Sequence, residues 1–387
     1  STQGYSSAAS DVYKRQRQHY ATFQRMLEGM DVRVAILTGA SKARERREAL
    51  AGIADGSIDL LIGTHALIED RVQFSNLGFV VIDEQHRFGV EQRARLWTKN
   101  EQPPHILVMT ATPIPRTLAM TLYGDLDVSV IDELPPGRQP IRTVHYTDAA
   151  RLRLFGFMRQ EIKKGRQIYV VYPLIKESET MDYKDLQDGY EAISRDFPLP
   201  EYVTTICHGK MKPEDKEESM RQFKSGEANI MVATSVIEVG VDVPNATVMV
   251  IESAERFGLS QLHQLRGRVG RGSQQSYCIL MSGEKLSKEA RLRLEAMCET
   301  NDGFRLAELD LKLRGAGDVN GTLQSGMAFD LKIANPTLDS QILTVTREAA
   351  AEVLTADPTL TQNGHEGLRE LRKRYSGREE IDFSQIS

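Results

Sequence analysis

The sequence predicts an α/β protein made of two parallel-sheet units in tandem, followed by a smaller helical region. Short apolar runs rich in β-branched residues alternate with helix-like stretches from residue 32 onward, which is typical of buried parallel strands. The proline-rich segment DELPPGRQPIRT at 132–143 interrupts this alternation, which then restarts. From about residue 285 the sequence becomes charged and helix-like and no longer alternates.

Composition sets broad limits on function. The 387 residues are enough for two or three domains, and 40% hydrophobic with 27% charged residues is ordinary for a globular protein. No stretch approaches the roughly 18 apolar residues of a membrane span. The net charge of -5 does not by itself indicate a nucleic-acid binder, although only the charge of one face matters for such binding. Three isolated cysteines argue against a zinc site or a disulfide framework and suit a reducing cytosol.

The first unit begins after an unusual tail. Residues 1–16 are serine-rich and aperiodic, so we expect a non-native or disordered tail there. Ser41 is expected to cap the helix SKARERREALAGIADG. Strands are predicted at VRVAIL, IDLLIGT, LGFVVID and HILVMT.

The second unit repeats the pattern. Its first helix is expected to bury Leu152, Phe155, Met158 and Ile162, a polar insertion is expected at about 176–200, and PEDKEESMRQFKSG reads as a helix. Strands are predicted at RQIYVVYPL, YVTTICHG, ANIMVATS, ATVMVIE and SYCILM. The predicted boundaries are 17–135 for the first unit, 136–284 for the second and 285–387 for the helical region.

The strongest local signal is VVIDEQHRFGVEQR at 80–93, where an apolar strand ends in Asp83 and Glu84. Ligands of open α/β sheets bind outside the carboxyl ends of the strands. One carboxylate can hold hydrated Mg²⁺ while its neighbour takes a proton from water. The alternative is a strand that ends in two solvated acids, and Gln85 and His86, which follow directly, make it less favoured.

A second signal is QLHQLRGRVGRG at 261–272. Gln264, Gly267, Arg268, Gly270 and Arg271 form a QxxGRxGR pattern. Two arginines three apart on a short helical turn can both point at a polyphosphate, because guanidinium groups match phosphate oxygens bidentately. The alternative is an exposed basic turn that binds nothing in particular.

These segments together resemble a known class of motor proteins. With TAT at 110–112 and ATSVIEVGVDVP at 233–244, they resemble motifs II, III, V and VI of superfamily 2 helicases in order and spacing. FGVEQR, MTATPIPRTLAMTLYGDLDVSVIDELPPGRQPI and LDLKLRGAGDVNGTLQSG narrow the resemblance to the RecG family of ATP-dependent DNA helicases, over nearly everything from residue 17. The transcription-repair coupling factor shares the motor, but Gln85 and GTLQSG favour the RecG family.

The resemblance implies two RecA-like lobes, the first incomplete, and an activity that needs ATP and Mg²⁺. It implies helicase or translocase action on branched double-stranded DNA, such as forks and Holliday junctions, in recombination and repair. It further implies a monomer of the bacterial cytoplasm with no membrane partner. A translocase of the coupling-factor type and a non-catalytic, helicase-like DNA-binding module stay open as alternatives.

The resemblance also assigns roles to residues. Arg271 would be the arginine finger, and Asp83 and Glu84 would hold Mg²⁺ through water. The catalytic group is Asp83, Glu84, Gln85, His86, Arg268 and Arg271. The nucleotide-contacting group is Gln264, Gly240, Asp242 and Gly267. The DNA-binding or coupling group is Thr64, Thr110, Thr112, Thr234, Arg314 and Gln324, in which a threonine taken alone is more often a turn or cap residue.

One expected element is not found in the sequence. No GxxxxGK[ST] box occurs, and the Gly209-Lys210 pair is followed by methionine. Motif I and the wedge domain of the family are therefore expected upstream. We expect the 387-residue chain to hydrolyse ATP at a negligible rate, although its parent enzyme would be an ATPase. Turnover comparable to an intact helicase, abolished by Glu84→Gln, would contradict this expectation.

Overall fold

A computed structural model of the chain describes residues 16–39, 41–69, 71–83, 102–110, 129–131, 133–173, 179–234, 243–314 and 340–376. Every strand pair among these residues is parallel, which confirms the predicted α/β class. The chain divides into two compact units, one drawn from 1–112 and 133–306 and the other from 113–132 and 307–387. The domain boundaries given above stay predictions.

The amino-terminal part contains two small parallel sheets, β1 with β2 and β3 with β4. Its elements are α1 over 16–26, β1 Val34–Leu37, α2 Ala43–Ala54, β2 Leu60–Gly63, β3 Phe79–Asp83 and β4 His105–Met109. The expectation that Ser41 caps α2 is wrong. Its hydroxyl accepts instead from the backbone N–H of Thr38 at 3.0 Å, and the carboxylate of Glu45 accepts from the backbone N–H of Lys42 at 3.2 Å.

The following part forms one six-stranded parallel sheet with the strand order β5-β10-β9-β6-β8-β7. The strands are β5 Arg142–Thr147, β6 Gln167–Tyr172, β7 Thr204–Cys207, β8 Ile230–Thr234, β9 Ala246–Ile251 and β10 Tyr277–Ser282. The helices between them are α3 Arg151–Lys163, α4 Glu179–Asp196, α5 Pro213–Ser225 and α6 Leu259–Arg266. β8 and β9 are buried along their whole length, as continuous apolar runs predict.

Packing of α3 and α4 corrects two expectations. Leu152 is 85% exposed, whereas Leu154 joins Phe155 and Met158 in the core, because Leu152 lies in the first turn of α3 on the solvent side. The stretch at about 176–200 is not simply a polar insertion. It contains α4, which contributes Leu186 and Ile193 to the same core.

The proline-rich segment contains a tight turn before β5 begins. The backbone N–H of Arg138 donates to the carbonyl of Pro135 at 3.1 Å, and Gly137 has a φ of 82°. Proline followed by a left-handed glycine at the two central positions defines a type II β-turn. All residues from 133 to 140 are exposed.

The chain then continues as helices, which confirms the predicted helical region. They are α7 Lys288–Glu299, α8 Gly303–Arg314, α9 Ser340–Ala356 and α10 Glu366–Ser376. The hydroxyl of Ser287 accepts from the backbone N–H of Ala290 at 3.1 Å and so caps α7. Over the ranges given above, none of the helices has both the length and the apolar character needed to cross a membrane.

Candidate nucleotide and DNA site

The carboxyl ends of β3 and β4 bring two predicted site residues to one sheet edge. Asp83 is the last residue of β3 and its side chain is exposed. Asp83 pairs with Met109, so Thr110, the first residue after β4, lies at the same edge. Glu84, Gln85, His86 and Thr112 lie outside the described residues.

Thr64 follows the carboxyl end of β2 and makes a local turn. Its hydroxyl accepts from the backbone N–H of Ala66 at 3.4 Å, and its carbonyl accepts from the backbone N–H of Leu67 at 2.9 Å. These contacts give Thr64 a structural role at the start of a short 3₁₀ turn. The predicted contact with a DNA phosphate stays a prediction.

The helical turn expected to carry Arg268 and Arg271 holds only Arg268. α6 ends at Arg266, and the backbone N–H of Arg268 donates to the carbonyl of Leu265 at 3.0 Å, whereas Arg271 follows without regular structure. Gln264 lies on the last turn of α6 and, like both arginines, is partly buried. The helix ends here because the segment has glycines at 267 and 270, and glycine is a poor helix former.

Two glycines allow this turn to pack closely against neighbouring segments of the chain. Gly270 has a φ of 79°, and a Cβ at this position would lie 2.9 Å from Cγ1 of Ile141. A Cβ at Gly272 would lie 3.2 Å from the carbonyl oxygen of Pro244. Ile141 directly precedes β5 and Pro244 precedes β9, so the turn lies at the amino edge of the six-stranded sheet.

Arg266 is a buried cation that the sequence analysis missed. It is 2% exposed, and its Nη1 donates to the carbonyls of Met297 at 2.9 Å and Thr300 at 2.8 Å. These carbonyls belong to the carboxyl end of α7, where the helix dipole is negative and a cation is stabilised. Arg266 therefore ties α6 to α7, two residues before Arg268.

His263 completes this arrangement from the preceding turn of α6. Nη2 of Arg266 donates to Nδ1 of His263 at 3.0 Å, so the imidazole is neutral and carries its proton on Nε2. Burial, and then the charge of Arg266, lower the pKa of His263 to about 4. The contact therefore requires a deprotonated histidine.

Acidification is expected to destabilise the part that contains the six-stranded sheet, because His263 must stay deprotonated in the folded state. The imidazole has a pKa of about 6.5 in the unfolded chain, so between pH 6.5 and 4 the unfolded state binds more protons. The free energy of unfolding should fall as pH falls through this window, by about 2 kcal/mol at pH 5. Denaturant titrations at several pH values, compared with His263→Gln, measure the effect. Parallel pH profiles for the two proteins would contradict the assignment.

Thr234 ends β8 at the opposite, carboxyl edge of the same sheet. It is 4% exposed, and its hydroxyl is buried without a hydrogen-bond partner among the described residues. A buried hydroxyl without a partner costs free energy, and the predicted contact of Thr234 with DNA stays a prediction. Within the described part of the chain, Thr247 in β9 also has a buried hydroxyl without a partner, but it belongs to none of the predicted motifs.

The sheet thus separates two groups of predicted site residues. Arg268 and Arg271 follow α6 at the amino edge, whereas Thr234 lies at the carboxyl edge. Gly240, Asp242 and Gln324 lie outside the described residues. Arg314 ends α8, and its side chain is outside the described part of the chain.

The described residues fit parts of a magnesium–nucleotide site. Asp83 offers an exposed carboxylate at the end of a parallel strand, where it suits a hydrated Mg²⁺. Arg268 and Arg271 are partly exposed guanidinium groups of the type that binds phosphate. Each group therefore has the chemistry that its predicted role requires.

Comparison with known proteins shows first the class of protein and then the family to which the chain belongs. A DEAD/DEAH box helicase model matches residues 15–121, and a helicase conserved C-terminal domain model matches residues 151–273. With the parallel sheets and the motif residues at their edges, these matches define a two-lobed helicase of superfamily 2. A third model, ATP-dependent DNA helicase RecG, domain 3, C-terminal, matches residues 300–387. The chain belongs to the RecG family, which confirms the resemblance drawn from the motifs.

Individual relatives agree with this placement. The chain is 50% identical to an ATP-dependent DNA helicase RecG of Synechocystis sp. over 92% of its residues, and 49% identical to that of Bacillus subtilis over 88%. It spans about half the length of these curated relatives, 42% and 49% respectively.

Solved structures agree as well. A structure of RecG bound to a three-way DNA junction is 43% identical with a TM-score of 0.65, over 85% of this chain and 42% of that chain. The DUF1998 helicase MrfA bound to DNA and AMPPNP is 16% identical with a TM-score of 0.54, over 87% of this chain and 50% of that chain. At that identity, the similarity to MrfA concerns the fold alone.

Proposed function

We propose that this chain is the motor portion of an ATP-dependent helicase that translocates on double-stranded DNA and remodels branched junctions in recombination and repair. One observation carries the proposal. The RecG-specific match at 300–387 occurs in the same chain as both helicase lobes. The arrangement of the motif residues at the strand ends supports the same proposal.

The nucleotide would be handled by residues of both lobes. ATP bound with Mg²⁺ supplies the free energy for movement when it is hydrolysed. Asp83 would hold the ion through water, with Glu84 beside it to take a proton from water. Arg268 and Arg271 would neutralise the charge of the nucleotide phosphates, and Gln264 and Gly267 would contact the nucleotide beside them. Gln85, His86, Gly240 and Asp242 would respond to the state of the nucleotide.

The DNA contacts would come from threonines at strand ends. Among the described residues, Thr64 follows β2, Thr110 follows β4 and Thr234 ends β8, so all three lie at carboxyl ends of parallel strands. Hydroxyl groups bind phosphate oxygens and thereby fix the position of a protein on DNA without reading sequence. Thr112, Arg314 and Gln324 complete the proposed DNA-binding or coupling group.

A direct binding measurement tests the proposal. We expect the 387-residue chain to bind a three-way junction more tightly than a linear duplex of the same base-pair content. Because each cation that contacts a phosphate releases counterions, affinity should fall by a factor of about 3 for every such contact between 50 and 200 mM salt. Fluorescence anisotropy measures both. Equal affinity for the two DNAs would contradict the preference for branches, and binding that ignores salt would contradict the phosphate contacts.

The competing reading, a non-catalytic DNA-binding module, is tested with nucleotide. This test uses an extended form, defined as this chain preceded by a segment that supplies a GxxxxGK[ST] box. A motor should change its DNA affinity when a non-hydrolysable ATP analogue is added, because the two ligands are linked. Affinity that is indifferent to the analogue would favour the module.

Thr234→Val is expected to weaken DNA binding without weakening the fold. The substitution removes an unpaired buried hydroxyl and keeps the branched shape, so the unfolding free energy should stay equal or rise by about 1 kcal/mol. Contact with a phosphate requires the buried hydroxyl to become exposed when DNA binds, and its removal should then lower affinity for the junction by about three- to tenfold.

Thr247→Val is the matched control for this substitution. It removes another unpaired buried hydroxyl from the same sheet, so it should show the same stability change with unaltered DNA affinity. Thermal melts and anisotropy titrations on both variants measure the two effects. Equal DNA affinity for Thr234→Val and Thr247→Val would remove Thr234 from the proposed DNA contacts.

A further inference from the structure

The pairing of β5 with β10 dictates which loops meet at the amino edge of the sheet. The two strands are parallel neighbours, with Arg142 opposite Tyr277. The segment that enters β5 and the loop that enters β10 must therefore run side by side. The first is the proline-rich segment between the predicted lobes, and the second is the loop that follows Arg268 and Arg271.

Direct contacts join these two segments. Nε2 of Gln275 donates to the carbonyl of Pro140 at 2.9 Å, and Nε2 of Gln139 donates to the carbonyl of Ser273 at 3.2 Å. The side chain of Ile141 packs so close to Gly270 that a Cβ at this position would clash with it. Residues 139–141 of the proline-rich segment 132–143, which we call the linker, thus contact three positions of the loop 270–276.

The far side of the loop is held by the sheet itself. Nη1 of Arg166, just before β6, donates to the carbonyl of Gln275 at 3.0 Å. Nη2 of the same residue donates to Oε1 of Gln274 at 3.0 Å. The loop therefore lies between Arg166 on one side and the linker on the other, and its position depends on both.

We propose that linker residues 139–141 form a latch on the loop 270–276, and that Gln139 and Gln275 are positioning residues for Arg268 and Arg271. The latch ties the linker to the arginine-bearing turn, so a movement of the linker is transmitted to the guanidinium groups. The chain then bends before residue 139, at the exposed type II turn of Pro135–Arg138. The inference rests on the proposed function for its chemistry, but its geometry can be tested without nucleotide.

The first test uses the 387-residue chain alone. In the double variant Gln139→Ala with Gln275→Ala, amide hydrogen exchange across 267–273 should accelerate by about tenfold, because both bonds between linker and loop are lost, together with the bond from Gln275 to the carbonyl of Ser276. Exchange within β10 should stay within about twofold of wild type, because its ladder is intact. Unchanged exchange across 267–273 would overturn the latch.

Gln274→Ala is the matched control for the exchange experiment. It lies in the same loop and loses a hydrogen bond of similar length, but that bond points to Arg166 and not to the linker. Faster exchange in the single variant Gln139→Ala, which also loses one hydrogen bond, than in Gln274→Ala supports a latch formed by the linker. Equal acceleration in both would mean that the loop needs every contact equally, and the special role of residues 139 and 275 would be refuted.

The second test measures ATP hydrolysis in the extended form. A misplaced arginine finger acts on the transition state, so the double variant should lower kcat by about tenfold and leave KM for ATP within about twofold. Active-site titration corrects for any misfolded fraction, which a purely structural defect would produce. Faster loop exchange with unchanged kcat would overturn the positioning role. If wild type in the extended form did not hydrolyse ATP, the proposed function would fail, while the exchange experiment would still decide the latch.

Discussion

Arg266→Met is expected to lower the free energy of unfolding of the part that contains the six-stranded sheet by about 3–5 kcal/mol, through the loss of several buried hydrogen bonds. The guanidinium group is buried and donates to the carbonyls of Met297 and Thr300 and to Nδ1 of His263. Methionine fills similar volume but leaves these three acceptors without a donor. Each buried acceptor that loses its partner costs about 1–3 kcal/mol.

Thr143→Val provides the control for Arg266→Met. The hydroxyl of Thr143 accepts from Nη1 of Arg266 at 3.4 Å, a long contact whose loss should cost less than about 1 kcal/mol. Denaturant titrations followed by circular dichroism measure both variants, and Arg266→Lys, which keeps one donor group, should fall between them. A free energy of unfolding for Arg266→Met within about 1 kcal/mol of wild type would contradict the structural role.

Arg271→Ala is expected to lower ATP turnover in the extended form by a factor of about 10³–10⁵, the range seen for loss of an arginine finger. The side chain is partly exposed in an irregular turn after α6, so the thermal midpoint should change by only a few degrees. Steady-state ATPase assays and thermal melts on the same preparations separate the two effects.

Arg271→Lys distinguishes charge from geometry at this position. Lysine keeps the positive charge but cannot bind phosphate bidentately, so it should recover only a small part of the lost turnover. Full recovery would mean that charge alone is needed. Turnover of Arg271→Ala within about tenfold of wild type would remove Arg271 from the finger role and leave Arg268 as the candidate.

The strands of both parts could be predicted from the sequence because burial on both faces produces continuous apolar runs. IDLLIGT contains β2, LGFVVID contains β3 and ATVMVIE contains β9, each within a few residues of its observed ends. The edge strand β5 was not predicted, and its first two residues lie in the proline-rich segment 132–143. It carries polar residues along its length, so it lacks the apolar signal of the central strands.

Features that depend on tertiary packing could not be predicted in this way. The phase of α3 depends on where the helix starts, so Leu152 was placed in the core although Leu154 occupies it. The position of Arg268 and Arg271 beyond α6 depends on where glycines end the helix. The burial of Arg266 depends on the carboxyl end of α7, about thirty residues further along the chain, and an arginine within a basic motif is ordinarily read as exposed.

The position of Thr234 and of the arginine turn at opposite edges of one sheet has a mechanical consequence. The strands β8 and β9 between these edges are wholly buried, and a close-packed interior has low compressibility. A displacement at the amino edge should therefore move the whole sheet as a rigid body, including its carboxyl edge. No sequence of side-chain rotamer changes is needed to connect the two edges. The distance through which the carboxyl edge moves is then set by the rotation of the sheet and by the distance between the two edges.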